Sequence, residues 1–316
     1  MYSNLMTYIL LIFVLSSAVL SADMKDQTAI ENVLNSKYDL SKPGSNTKQY
    51  FNLTTELVNY APDGKRQSKD IYKLSLRYIP AENGNKEQYE CLRFSFQFGD
   101  SAMRDIPSLK NMKYTFFSGI DEKNNVFGID HAAFENLTGS NGVPLPPDKS
   151  YHIYNAFIDF HGFCNVFAGK TADGKGIQDL EKIGEKIVHE ASYSKPPTHL
   201  GKNFAEGSYF QNGKIILGFK GLSRVNNKSC ALVSFDSGES SFKMINMPMP
   251  NFEIVTNGSS HYWGDIYKDL QSGWVQKVEM HEIVISQTKL PVEPKIINAA
   301  IERYSVIENV SADQIF

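Results

Sequence analysis

The chain has 316 residues, 41% of them hydrophobic, 12% aromatic and 21% charged, with a formal net charge of −3 at pH 7. That length and composition describe a folded protein with one large or two modest hydrophobic cores. The charge excludes the basic field on which binding to nucleic acid or an anionic lipid surface depends.

Residues 1–22 read as a secretory signal peptide. An apolar stretch centres on Tyr8–Leu15, and the small residues Ser16, Ser17, Ala18, Ser21 and Ala22 follow, placing cleavage near Ala22. No Lys or Arg precedes this stretch, and Leu5–Ala22 also reaches the minimum length of a membrane anchor, which is the alternative reading. No later segment approaches transmembrane length. The expected location is therefore secreted or periplasmic, with no transmembrane segment in the mature chain.

Residues 23–47 form an N-terminal segment, with a short helix expected around Thr28–Leu34 and a linker at "SKPGSN". A first β region covers 48–168. Period-two alternation marks strands at Tyr50–Asn59, Ile71–Ile79 and Gln88–Phe98, separated by the turn sequences "APDGK" and "AENGN". Lys113–Ser118 and Ser150–Val166 continue the strands. A helical connection occupies 169–200: Ile177, Leu180, Ile183, Ile187 and Val188 share one face at helical spacing, with Asp179, Lys182, Glu185 and Lys186 facing water. A second β region covers 201–316, with one hairpin turning at Asn226–Asn227 and another near Gln271–Gly273; Ser311 is placed to cap a final helical turn.

The fold class that follows is mainly β (α+β). Long antiparallel hairpins form twisted sheets, in one large or two sequential β units, with one central amphipathic helix.

The stretch "FIDFHGFC", Phe157–Cys164, gathers an Asp, a His and a Cys. As a strand it places Asp159 and His161 on one face and turns Cys164 away, which is poor geometry for a nucleophilic pair. No Cys-x2-Cys or His-x3-His supplies further zinc ligands, and neither "HE" dipeptide is followed by a second His one helical turn later, so no metal site is expected. "KTADGKGIQDLEK" lacks the carboxylates of a calcium loop. No nucleophile elbow, phosphate loop or dinucleotide fingerprint occurs, and no cofactor is implied.

Three cysteines are too few for a disulfide scaffold. Cys91 and Cys230 end similar strands, "ECLRFSF" and "SCALVSF", and are expected either to pair or to be buried; Cys164 is expected to be the more reactive thiol. Asn-x-Ser/Thr sequons stand at Asn52, Asn136, Asn227, Asn257 and Asn309, no more than composition accounts for; they permit glycosylation in a eukaryotic host. Both tryptophans fall in one hairpin. Tyr262, Trp263, Tyr267 and Trp274 are the candidate ligand-binding rings, able to stack on a sugar or apolar ligand, against a reading as cross-strand core pairs.

Long paired strands, one helix and an export signal resemble, in style, exported bacterial proteins built on curved sheets, some of which hold lipids. No diagnostic motif carries the likeness, and it assigns no residue. The leading functional expectation is non-catalytic binding of an apolar, carbohydrate or protein ligand on a sheet face. The alternatives are an extracytoplasmic hydrolase whose carboxylates or histidines converge only in the fold, and a structural envelope or matrix component.

Overall fold

The computed structural model describes residues 30–82, 86–123, 125–196, 205–249, 252–291 and 296–316. The expected signal peptide and its cleavage site near Ala22, and residues 83–85 of the turn "AENGN", lie outside the described residues.

Thirteen antiparallel strands form one sheet: β1 (Gln49–Tyr60), β2 (Arg66–Ile79), β3 (Gln88–Phe98), β4 (Arg104–Asp105), β5 (Lys113–Tyr114), β6 (Lys186–Val188), β7 (Tyr209–Gln211), β8 (Ile216–Val225), β9 (Lys228–Asp236), β10 (Ser240–Met249), β11 (Phe252–Asp269), β12 (Val275–Lys289) and β13 (Ile296–Val310). The main path runs β4-β3-β2-β1-β13-β12-β11-β9-β8-β6. Because β1 pairs with β13 along Tyr50–Tyr60, the first and last parts of the chain share a sheet. That pairing removes the arrangement in two separate β units.

The hairpins stand where turn chemistry placed them. Asn226 and Asn227 both take positive φ, 51° and 60°, as a two-residue hairpin turn with the twist of its strands requires. Beyond it, β9 and β10 run along the same edge of β11, joined by an irregular corner at Ser237–Glu239 that holds one residue more than its partner stretch. The Ser237 hydroxyl accepts from Tyr262 N–H, and Ser237 N–H donates to the Tyr262 carbonyl, so the corner stays tied to the sheet. Such a bulge bends the strand, and the sheet curves around what it covers.

It covers a helix at Pro147–His161 that continues as a π-helical turn, Gly162–Phe167. This corrects the strand expected over Ser150–Val166. The helix opens on Pro146 and Pro147, where a proline costs no hydrogen bond. The segment expected to be helical, Ile177–His189, is instead a short 3-10 turn at Ile177–Asp179, a loop and strand β6. Ile177 and Leu180 are buried as their spacing suggested. However, Gly184 sits at φ 93°, a left-handed conformation that ends any helix there.

One stripe of the central helix (Ile153, Tyr154, Phe157, Phe160 and His161) is fully buried against β1–β5 and their loops. Phe157 stacks on Phe94 and meets Phe134 and Tyr114 edge-on; Phe160 meets Phe51 and Tyr89. Burial of rings on this scale dominates core energetics, at about 1.5–3 kcal/mol each. The N-terminal segment seals one end. Lys268 Nζ donates to the carbonyls of Leu40 (2.8 Å) and Ala168 (2.6 Å), and Trp274 Nε1 donates to Ser45 O (2.9 Å). Burial lowers the Lys268 pKa to about 8.

Candidate ligand pocket

The adjacent stripe of the same helix borders an open space. Tyr151, Asn155, Ile158, Asp159, Gly162 and Phe163 recur at three- and four-residue spacing and look into a cavity of about 400 Å³. The volume lies within the range of small-molecule sites. The opposite wall is the concave face of the sheet. There Leu57, Arg303, Glu282 and Tyr262 are direct cross-strand neighbours in one row, and Ile301, Val284 and Ser260 form the next. Phe210, Phe242 and Met244, from β7 and β10, close the side with Phe167. Gly258 is needed at this end because a Cβ there would lie 2.4 Å from the Phe242 ring.

The lining is largely apolar, and its polar groups are concentrated. Arg303 holds Asp159 through Nη1 and Glu282 through Nε, joining the helix to the sheet. The Ser260 hydroxyl donates to the other Glu282 oxygen. Tyr262 OH donates to Asn212 Oδ1 at 3.3 Å. Burial raises the Asp159 pKa to about 6; Arg303 works against the rise and the negative charge of Glu282 adds to it. The Tyr262 hydroxyl is likewise pushed up by burial. A carboxyl that titrates near neutrality in a concave apolar site is the kind of group that marks a functional region.

His161, two residues beyond Asp159, points the other way. Residues two apart do not share a helix face. It is wholly buried among Tyr89, Tyr114, Phe116 and Phe160. Its Nδ1 accepts from the Asn165 amide (2.8 Å), which leaves Nε2–H to donate to Tyr114 OH (2.9 Å). Burial lowers its pKa to about 3, and protonation would also set two donors against each other at Asn165. No group of three or more His, Cys, Asp or Glu side chains able to hold a metal occurs among the described residues. The "FIDFHGFC" stretch is therefore neither a strand nor a cluster: helical periodicity sends its Asp to the cavity and its His to the core.

The four candidate rings are separated by the structure. Tyr262 lines the cavity. Trp274 is core, against Tyr78 (4.7 Å between centroids) and Phe51. Trp263 and Tyr267 alternate with the inward-facing Tyr262, Ile266 and Lys268 and so lie on the outer face, where Trp263 stacks on His281, which in turn meets Tyr304. Trp263 and Tyr267 share a face, as strand alternation requires, and their neighbour Tyr262 points the opposite way.

All three cysteines are free. Cys91 on β3 and Cys230 on β9 are both buried but have β2, β1, β13, β12 and β11 between them in the sheet, which rules out the pairing. Burial raises all three thiol pKa values, to about 12 for Cys91 and about 11 for Cys230, with Cys164 also pushed well up, and of the three Cys164 alone is only partly buried. Among the sequons, Asn136, Asn227 and Asn257 are exposed. Asn52 and Asn309 are buried, their amides donating to Gln314 O and to Gln49 Oε1, and the folded chain has no room for a glycan at either.

Sequence reasoning missed Arg303, and Glu282 stood out only as one acidic residue among several in the same hairpin. Their signal was present only as inward-facing charges on otherwise apolar strand faces. Among the described residues no helix is long and apolar enough to cross a membrane.

No protein-family model matches the chain, and no curated protein matches it in sequence. Among solved structures, the in-vitro folded outer membrane protein OmpT of Vibrio cholerae is similar at 9% identity and a TM-score of 0.17, over 85% of this chain and 100% of that one. A loop-deletion mutant of the same protein scores 0.16 at 7% identity, over 84% and 99%. At such scores the likeness supports no inference about fold or function.

Proposed function

We propose that this protein is an exported, non-catalytic binder of an apolar or amphipathic small molecule held between the central helix and the concave face of the sheet. The observation that carries the reading is the 400 Å³ cavity, lined by Leu57, Ile158, Phe163, Phe242, Val284 and Ile301 around one concentrated polar group. An apolar enclosure with few, placed polar groups suits a ligand that buries a hydrocarbon body and orients by one end. Export rests on the apolar stretch Tyr8–Leu15 and the small residues up to Ala22.

A hydrolase is the second reading, favoured by the meeting of Asp159 and Glu282 on Arg303. Against it, both Glu282 oxygens are engaged, by Ser260 and Arg303. Native mass spectrometry of the protein purified from its export compartment tests the choice. Binding predicts about one equivalent of an apolar compound, released intact on denaturation. A chemically altered compound supports the hydrolase, and an empty protein that takes up no hydrophobic probe contradicts both.

A further inference from the structure

The polar cluster in the cavity is unbalanced. Among the described lining residues Asp159 and Glu282 are acidic, while Arg303 alone is a permanent cation. Arg303 spends Nε on Glu282 and Nη1 on Asp159 Oδ2, and Ser260 takes the remaining Glu282 oxygen. Among the described residues nothing donates to Asp159 Oδ1. The Asp159 side chain is 14% exposed, its opening being the cavity itself. An ionised carboxylate that is short of one positive charge and one donor, inside an apolar enclosure, is costly unless something supplies both.

We propose that the cavity selects a ligand with a hydrocarbon body and a protonated amine as its head, the ammonium donating to Asp159 Oδ1 beside Arg303. This rests on the reading of the cavity as a binding site. The groups facing Asp159 are Arg303 on β13, Glu282 on β12, Tyr262 on β11, and Tyr151 and His152 on the helix itself. The two tyrosines are neutral hydroxyls over the working range and His152 lines the cavity two helical turns before Asp159, so the charges that act on Asp159 are those of Arg303 and Glu282. Since the Asp159 carboxyl titrates at about 6, a proton is the natural substitute for the ammonium. The two compete, and amine binding weakens as the pH falls through that value.

Isothermal titration of the full mature chain with decylamine, decan-1-ol and decanoate tests this. At pH 7.5 decylamine is expected to bind about tenfold or more tighter than decanoate, the difference an unscreened charge pair supplies in a partly buried site. Its advantage over decanol should shrink at pH 5. Asp159→Asn, which leaves Arg303 paired with Glu282, should abolish the amine-over-alcohol preference. Decanoate binding as tightly as decylamine, or a preference that survives pH 5 and Asp159→Asn, overturns the head-group assignment and leaves the pocket standing. Binding of none of the three removes the pocket reading and this inference with it.

Discussion

The two sides of the central helix are built from the same kinds of residue and end differently. On the side facing β1–β5, Ile153, Tyr154, Phe157 and Phe160 leave no space. On the side facing β10–β13, Ile158, Phe163 and the rings of Phe210 and Phe242 surround a hollow. Aromatic content alone therefore does not make a core. Where the sheet neighbours bring Phe94, Tyr89 and Phe51, the space is filled. Where the facing row is Arg303, Glu282 and Ser260, the strand carries charges that the helix cannot cover.

The largest expected contrast is in stability. Phe157→Ala and Trp274→Ala remove fully packed rings, and each should cost about 3–5 kcal/mol in urea unfolding. Phe242→Ala, at the cavity wall, should cost closer to about 1 kcal/mol, because it enlarges an existing space rather than opening a new one. Equal costs would mean that the two sides are packed alike.

The next contrast is in pH dependence. His161 has a folded pKa of about 3, below its unfolded value of about 6.5. The folded state thus binds fewer protons between those values, and His161 contributes stability present above about pH 6.5 and lost as pH falls. Asp159 does the reverse: its folded pKa of about 6 lies above the unfolded value of about 3.9, so its contribution is full at low pH and lost as pH rises through 6. Between about pH 4 and 6 the two slopes oppose each other, each about 1.4 kcal/mol per unit. Asp159→Asn should therefore steepen the loss of stability in acid, and His161→Gln should flatten or reverse it. Parallel pH profiles in both variants would contradict the assignment of these residues to opposite environments.

Much of the sheet was legible and the helix was not, for physical reasons that particular residues display. β3 spans Gln88–Phe98 as its alternation indicated, and Asn226–Asn227 turns because only residues tolerant of positive φ suit that hairpin. The helix "SYHIYNAFIDFH" is rich in aromatic and β-branched residues with low helix propensity, and its local alternation imitates a strand. Tertiary burial of its stripes overrides that preference. In "KGIQDLEKIGEKIVH" the apolar spacing is helical, but Gly176 and Gly184 frame an irregular chain that buries Ile177 and Leu180, half-buries Ile183 and Ile187 and leaves Val188 exposed. The cavity could not be read at all, since Asp159, Glu282 and Arg303 are brought together from the helix and two strands distant in sequence.

The smallest expected effect belongs to the outer face. Trp263→Ala removes a half-exposed ring from a row with His281 and Tyr304, and should cost at most about 1 kcal/mol without changing ligand binding. A loss of binding in that variant would move the site from the concave to the convex side.

The central claim is that the hollow side is a binding site, and Gly162 offers the most direct test. A Cβ at Gly162 meets no atom within 4 Å, its φ of −55° suits any residue, and it lines the cavity. Gly162→Leu should therefore project its side chain into the hollow without strain and leave the melting temperature unchanged or slightly raised. Titration with the apolar fluorophore N-phenyl-1-naphthylamine should show about one bound equivalent in the wild-type protein and markedly weaker binding in the variant. Equal fluorescence enhancement in the two proteins would contradict a ligand site between the helix and the sheet.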